Sequence, residues 1–250
     1  MYFPQGDGQN QKGLSRKHIF TEVYKSLKRL NTDYLDLYYC HWYDNETPIG
    51  ETLSAMNDLV RKGDILYYGV SNWTAAQIAY GLREVERYGL YPITANQPTY
   101  NMLNRYIEAE SIPLCKMEGI GQVVFSPLAQ GILTGKYKRS VSYPKDSRAL
   151  NPRAGGGISV FDYLGDESLE TAGKLLEIAD AAGISLAEMA LAWVLRLPAI
   201  SSALIGASTP EQVEMNAKAS GIKLSEEILA KIDTVLNESR FRAKNRMLPW

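Results

Sequence analysis

The chain has 250 residues, 45% of them apolar, and a formal charge of −1. That balance argues against a nucleic-acid partner, because binding to phosphates is driven by clustered Lys and Arg that release counterions. No window approaches 18 uninterrupted apolar residues and no basic region precedes an apolar run near Met1, so neither membrane insertion nor secretion is expected.

The opening Met1 to Pro4 reads as the tail of a β-strand, with Tyr2 and Phe3 stopped by Pro4 and the turn cluster Gly6-Asp7-Gly8. Ser15 can then cap a helix, with Leu14 and Ile19 as a hydrophobic staple and Ile19, Val23 and Leu27 continuing the apolar stripe. His18 in its first turn is expected to be solvated. The stretch 34–42, YLDLYYCHW, reads as a strand. A helix follows from Thr47-Pro48, shows Ile49, Leu53, Met56 and Val60 on one side and stops at Gly63.

The alternation repeats: a strand ILYYGVSN, a helix capped by Thr74 with Gln77 three residues on, a strand ITANQ, an interrupted helix before Gly119, a strand GQVVFSP and finally ALIGAS. Strand ends at His41, Asn72, Gln97 and Ser126 recur every 25 to 31 residues. Short apolar strands alternating with amphipathic helices imply a parallel sheet covered by helices, either an open doubly wound sheet or a β/α barrel. Five strands and a fragment would complete the first but not an eight-stranded barrel.

From Gly131 to Gly165 the beat lapses into a segment containing NPRAGGG, a candidate lid. Helices are expected from roughly Glu167 to Ala182 and from a Ser185 cap with Glu188 at its third position. The whole of 1–250 reads as one partial barrel domain, with 131–165 as its long loop and 239–250 as a tail holding the basic residues Arg240, Arg242, Lys244 and Arg246. The charges from Arg83 to Arg87 and at Glu226-Glu227 look like exposed helix faces. Cys40 and Cys115 lie in apolar stretches without metal-ligand spacing, so reduced core thiols, a cytoplasmic location and no metal are expected.

In parallel β/α folds ligands sit beyond the carboxyl ends of the strands. Those ends here carry His41, Ser71 and Asn72, Asn96 and Gln97, Ser126, and Gly206 with Ser208. Hydroxyls and amides donate and accept, which suits a carboxamide such as that of nicotinamide, and Phe125 can stack on a flat ring. In LIGASTPEQVEMN, Ser208 or Thr209 caps a helix whose first turn holds Pro210 and Gln212; its free N–H groups make either a phosphate seat or a simple cap. His41, beside Trp42, is read either as a chemical group or as a core residue.

The strings LDLYYCHW, YYGVSNW, NQPTYNML, FSPLAQGILTGKY and LIGASTPEQVEMN resemble consecutive signatures of the aldo-keto reductase superfamily. They are most similar to the branch holding potassium-channel β subunits and L-glyceraldehyde 3-phosphate reductase-like enzymes. The resemblance runs from the first residues to about residue 238 and selects a (β/α)8 TIM barrel, N-terminally truncated, over the open sheet. It implies a carbonyl reductase using NADP(H). By motif position His41 matches the family's active-site histidine. Ser71, Asn72 and Gln97 match the carboxamide-binding residues, and Phe125 matches the aromatic that stacks on nicotinamide.

Ser126, Leu128, Lys136 and Arg148 match residues that hold the cofactor phosphates, while Ser208, Gln212 and Asn216 match the 2′-phosphate and adenine end, which the chain enters through Gly206. Met215 departs from the family, which commonly has Glu there. The family's catalytic Tyr, Asp and Lys are expected to precede Met1. A small aldehyde or ketone is the implied substrate, with a homo-oligomer one possible arrangement. A non-catalytic NADP(H)-binding or channel-subunit-like regulatory module is the alternative, and a decayed remnant that binds nothing a third.

Overall fold

The computed structural model describes residues 1–8, 10–139, 142–145, 147–150 and 159–241. NPRAGGG at 151–157, and Arg242, Lys244 and Arg246 of the basic tail, lie outside the described residues. Among the described residues the chain divides into two compact units: Met1–Pro98 with Glu108–Gln122, and Thr99–Ile107 with the described residues from Val123 to Phe241.

Five strands form one sheet in the order β1-β2-β3-β4-β5: Leu35–Cys40, Ile65–Val70, Ala95–Asn96, Gly121–Phe125 and Ile200–Leu204. The pairings β1 with β2, β2 with β3 and β3 with β4 are parallel, with Cys40 opposite Val70, Val70 opposite Asn96, and Asn96 opposite Gln122. A doubly wound sheet must reverse its strand order at a switch point. This order runs one way throughout, which is the winding of a β/α barrel.

In the first unit, α1 (Arg16–Leu30) starts at Ser15, whose hydroxyl accepts from the His18 backbone N–H, a cap contributing about 1 kcal/mol. Its Ile19, Val23 and Leu27 are buried, as the apolar spacing predicts. Helix α2 (Ile49–Lys62) ends at Gly63, where φ of 79° places the chain in the left-handed region that glycine tolerates. Helix α3 (Ala75–Tyr88) carries the reciprocal capping box of Thr74 and Gln77, and α4 (Ser111–Met117) follows a 3₁₀ turn at Tyr106–Glu108. Leu53, Met56, Leu59, Ile65, Tyr68, Val70, Trp73 and Ile78 fill this unit's core together with both cysteines, which are free.

Met1 to Pro4 do not form a strand. Met1 nevertheless makes one parallel pair on the edge of β1: its nitrogen donates to the Tyr39 carbonyl at 3.3 Å and its carbonyl accepts from the His41 N–H at 3.1 Å. The loop behind it folds back on itself, with the Gly13 N–H bonded to Tyr2 O and the Leu14 N–H bonded to Asp44 Oδ2. His18 is consequently buried rather than solvated, because Asn10 of this loop lies against its ring.

The second unit contains the 3₁₀ segments Ala129–Thr134 and Val160–Asp162, then α5 (Asp166–Ala181), α6 (Leu186–Leu195), β5, α7 (Pro210–Lys218) and α8 (Glu226–Glu238). The stretch expected to open the long loop at residue 131 is therefore ordered into turns at its start. Ser185 and Glu188 form the capping box read from the sequence, and α6 is apolar almost all round, with Met189, Ala190, Trp193 and Val194 fully buried. Trp193 stacks on Tyr100 at 5.4 Å and carries the Arg196 guanidinium 3.6 Å above its ring. The last strand is Ile200–Leu204, earlier than the expected ALIGAS, so Ile205 and Gly206 follow it instead of ending it. No single helix among the described residues is long and apolar enough to cross a membrane.

Candidate functional site

Within the first unit the sheet register brings His41, Ser71, Asn72 and Gln97 to the ends of three adjacent strands. The Ser71 N–H bonds to Cys40 O and the Gln97 N–H to Val70 O, so the ladder continues one step past the strands and holds these residues side by side. Ser71 Oγ donates to Gln97 O at 2.8 Å, and Asn72 Nδ2 lies 3.4 Å from Ser71 Oγ. Asn72 adopts φ of 54°, a left-handed conformation that asparagine tolerates better than most residues and that turns the chain sharply after β2.

His41 Nδ1 lies 2.7 Å from the Met1 nitrogen. Any N–H at that position leaves the ring proton on Nε2, the tautomer that presents a donor outward. Burial lowers the imidazole pKa to about 4. The side of His41 open to solvent limits that depression, but the direction is the same: the ring is neutral at pH 7.

Asn96, beside Gln97, is fully buried and donates from Nδ2 to Gln122 Oε1 at 3.1 Å. Gln122 also meets the Cys115 thiol, which burial pushes up to about 11. Asn96 is thus turned into the interior, where its Oδ1 has no hydrogen-bond partner among the described residues.

Within the second unit β4 ends at Phe125, and Ser126 turns the chain with φ of 57°. Two side chains that the sequence reading did not single out hold this turn. Asn101, with no exposure, donates from Nδ2 to Ser126 O at 3.0 Å and contacts the Tyr163 hydroxyl at 3.2 Å, while its Oδ1 accepts from the Leu103 N–H at 3.0 Å. Gln130 donates from Nε2 to Ser126 Oγ at 3.1 Å and accepts at Oε1 from Arg148 Nη1. Leu128 precedes three successive left-handed residues, Ala129, Gln130 and Gly131. The turn is closed on itself, with the Ala129 N–H donating to Ser126 O at 3.0 Å and the Gly131 N–H to Leu128 O at 2.8 Å.

Arg148 reaches the segment after β5: a Cβ built on Gly206 would lie 3.3 Å from its Nη2. Lys136 packs over Gly131, where a built Cβ would lie 3.0 Å from its Cε. Partial desolvation lowers the Lys136 pKa, and the Arg148 charge lowers it further. No ion pair joins either cation to a carboxylate among the described residues. Two neighbouring cations with no carboxylate partner among the described residues, each against a glycine, make a seat for an anion.

Thr209, not Ser208, caps α7, accepting the Gln212 N–H, while the Gln212 side chain accepts from the Ser208 N–H at 2.8 Å. Ser208 and Gln212 therefore brace each other at the helix entrance, both exposed, and Asn216 lies one turn further on, half-buried. A separate hollow of about 280 Å³, lined by Met102, Leu103, Arg105, Leu236 and Phe241 among others, contains none of the predicted residues.

The sequence model of the aldo/keto reductase family matches residues 3–237. The chain is 41% identical, over 96% of its own length and 73% of the relative's, to a probable voltage-gated potassium channel subunit beta of Arabidopsis thaliana. It is 38% identical to a putative subunit of the same kind from Schizosaccharomyces pombe, covering 91% of this chain and 67% of that one. It is 36% identical to the L-glyceraldehyde 3-phosphate reductase of Escherichia coli K12, covering 90% of this chain and 65% of the enzyme.

Proposed function

The chain belongs to the aldo/keto reductase family, a family of β/α barrels, and from that membership we propose that it serves an NADP(H)-dependent carbonyl reductase acting on small aldehydes or ketones. The observation that carries the cofactor reading is the pair of mutually repelling cations Lys136, packed over Gly131, and Arg148, beside Gly206 at the approach to α7, neither paired with a carboxylate among the described residues. A dinucleotide with a 2′-phosphate matches this donor set in charge, and the hydroxyl of Ser126 adds a neutral donor.

In this reading Lys136, Arg148, Ser126, Leu128, Gly206 and Ser208 hold phosphates, with Gln212 and Asn216 toward the adenine. Ser71, Asn72 and Gln97 bind the carboxamide, and Phe125 stacks on the nicotinamide ring. When bound, the cofactor would supply the hydride. His41, neutral and protonated on Nε2, donates a hydrogen bond that orients and polarises the substrate carbonyl. The family's Tyr proton donor, with its Asp and Lys, is expected outside these residues, so full turnover calls for them as well.

NADPH titrated into the purified chain is expected to produce a saturable change in tryptophan fluorescence, with NADH binding at least about tenfold more weakly for lack of one charge-assisted contact. Absence of a saturable change sinks the cofactor reading. A second reading, a regulatory subunit that binds NADP(H) without turnover, is favoured by the 41% identity to the plant channel subunit. NADPH binding without aldehyde reduction by the chain joined to the family's Tyr, Asp and Lys segment selects it.

A further inference from the structure

We propose that Gln130 is a positioning residue that fixes which way the Ser126 hydroxyl points, through a polar relay running from Arg148 to Gln130 to Ser126. The inference rests on the cofactor reading above, since it concerns the anion seat that reading uses.

The relay follows from donor and acceptor chemistry. A guanidinium has donors and no acceptor. Arg148 Nη1 therefore determines which end of the Gln130 amide faces it: the carbonyl oxygen Oε1. The amide nitrogen is then forced to the other side, where it meets Ser126 Oγ at 3.1 Å. That nitrogen can only donate, so Ser126 Oγ must accept. The hydroxyl proton of Ser126 consequently has no acceptor among the described residues and is left for an incoming oxygen. An anion is the ligand this polarity favours. Had the amide been reversed, Ser126 would spend its proton on Gln130 and present lone pairs to the seat.

The backbone supports the same geometry. Gln130 is buried, with φ of 58°, and Ser126 has φ of 57°. Two non-glycine residues held in the left-handed region bring one side chain back onto the other four positions along the chain, an arrangement that costs conformational energy and persists because the surroundings enforce it. The same Arg148 that orients the amide also lies against Gly206, so one guanidinium links the polarity of Ser126 to the segment leading into α7.

The test is a double-mutant cycle read by NADPH fluorescence titration, combined with proton exchange at the Gln130 side-chain amide. Gln130→Met keeps the volume and removes both hydrogen bonds; it is expected to raise the Kd for NADPH about tenfold in the unsubstituted background and at most about twofold in Ser126→Ala. Should Gln130→Met fail to fold, Gln130→Glu replaces it: the carboxylate still pairs with Arg148 but accepts from Ser126, and the same non-additivity is expected. Equal losses in both backgrounds overturn the relay, because Gln130 would then act without Ser126.

Without any cofactor, the Gln130 amide protons are expected to be protected from exchange, and Ser126→Ala to remove that protection. Rapid exchange in the unsubstituted chain overturns the relay even where NADPH binds. Protection together with no NADPH binding overturns the cofactor reading, and with it the role assigned to the relay.

Discussion

Ser71 Oγ donates to the backbone carbonyl of Gln97 at 2.8 Å, tying the end of β2 to the end of β3. The hydroxyl proton is already committed, so toward a carboxamide Ser71 has only lone pairs to offer. Ser71→Ala is expected to cost about 1 kcal/mol in urea unfolding, the ordinary loss for one neutral hydrogen bond, and to weaken NADPH by up to roughly tenfold. Unchanged stability and affinity would show that the bond does not organise this strand end.

Asn101 is the second test of strand-end geometry. Its three contacts, to Ser126 O, the Tyr163 hydroxyl and the Leu103 N–H, are all made in a fully buried position. Asn101→Leu removes all three contacts at once, although Ser126 O keeps the Ala129 N–H, and is expected to lower stability by about 2 kcal/mol, with Tyr163→Phe costing less. Equilibrium denaturation with an unchanged m-value checks this.

The two histidines predict a particular acid response. Burial lowers the pKa of His18 and brings that of His41 to about 4, both below the unfolded value near 6.5. Between those limits the unfolded chain binds more protons than the folded one, so stability falls as pH drops from about 6.5 toward 4. His18→Gln and His41→Gln should each flatten that slope. A stability flat from pH 7 to 5 in the unsubstituted chain contradicts the assignment.

Gly69 is enforced by packing rather than by backbone angle. A Cβ there would lie 2.6 Å from the Ala95 carbonyl oxygen and 2.6 Å from Tyr39 Cε1. The ring can move, but the backbone oxygen belongs to the ladder and cannot, so Gly69→Ala is expected to cost about 1–3 kcal/mol. Adding Tyr39→Ala should restore only part of it. Full rescue would mean the oxygen contact is unimportant.

Much of this architecture is legible in the sequence because its signals are local. Ser15, Thr74 and Ser185 cap the helices their spacing predicts, and Gly63 ends α2 where the apolar stripe ends. His18 is misjudged because its burial comes from a loop with no periodicity to reveal that it folds back over α1. Asn96 reads like its neighbour Gln97 in a polar strand end, yet alternation turns one amide into the interior.

Asn101 and Gln130 are invisible for a related reason. Each sits in a turn, and its importance lies in a backbone angle at Ser126 that no pattern of residue types announces. A run such as SPLAQG does hint at irregular backbone, but not at which side chain braces it.

The one-way strand order also bears on how the molecule is made. Leu35 pairs with Ile65, Gly69 with Ala95 and Ala95 with Gly121, so each new pairing closes a segment of only 26 to 30 residues. Closing such short segments carries a small entropic penalty, and none of these pairings must wait for the far end of the polypeptide. Vectorial synthesis can therefore lay each strand against the one just completed, so that β1 to β4 can pair as soon as Phe125 has left the ribosome.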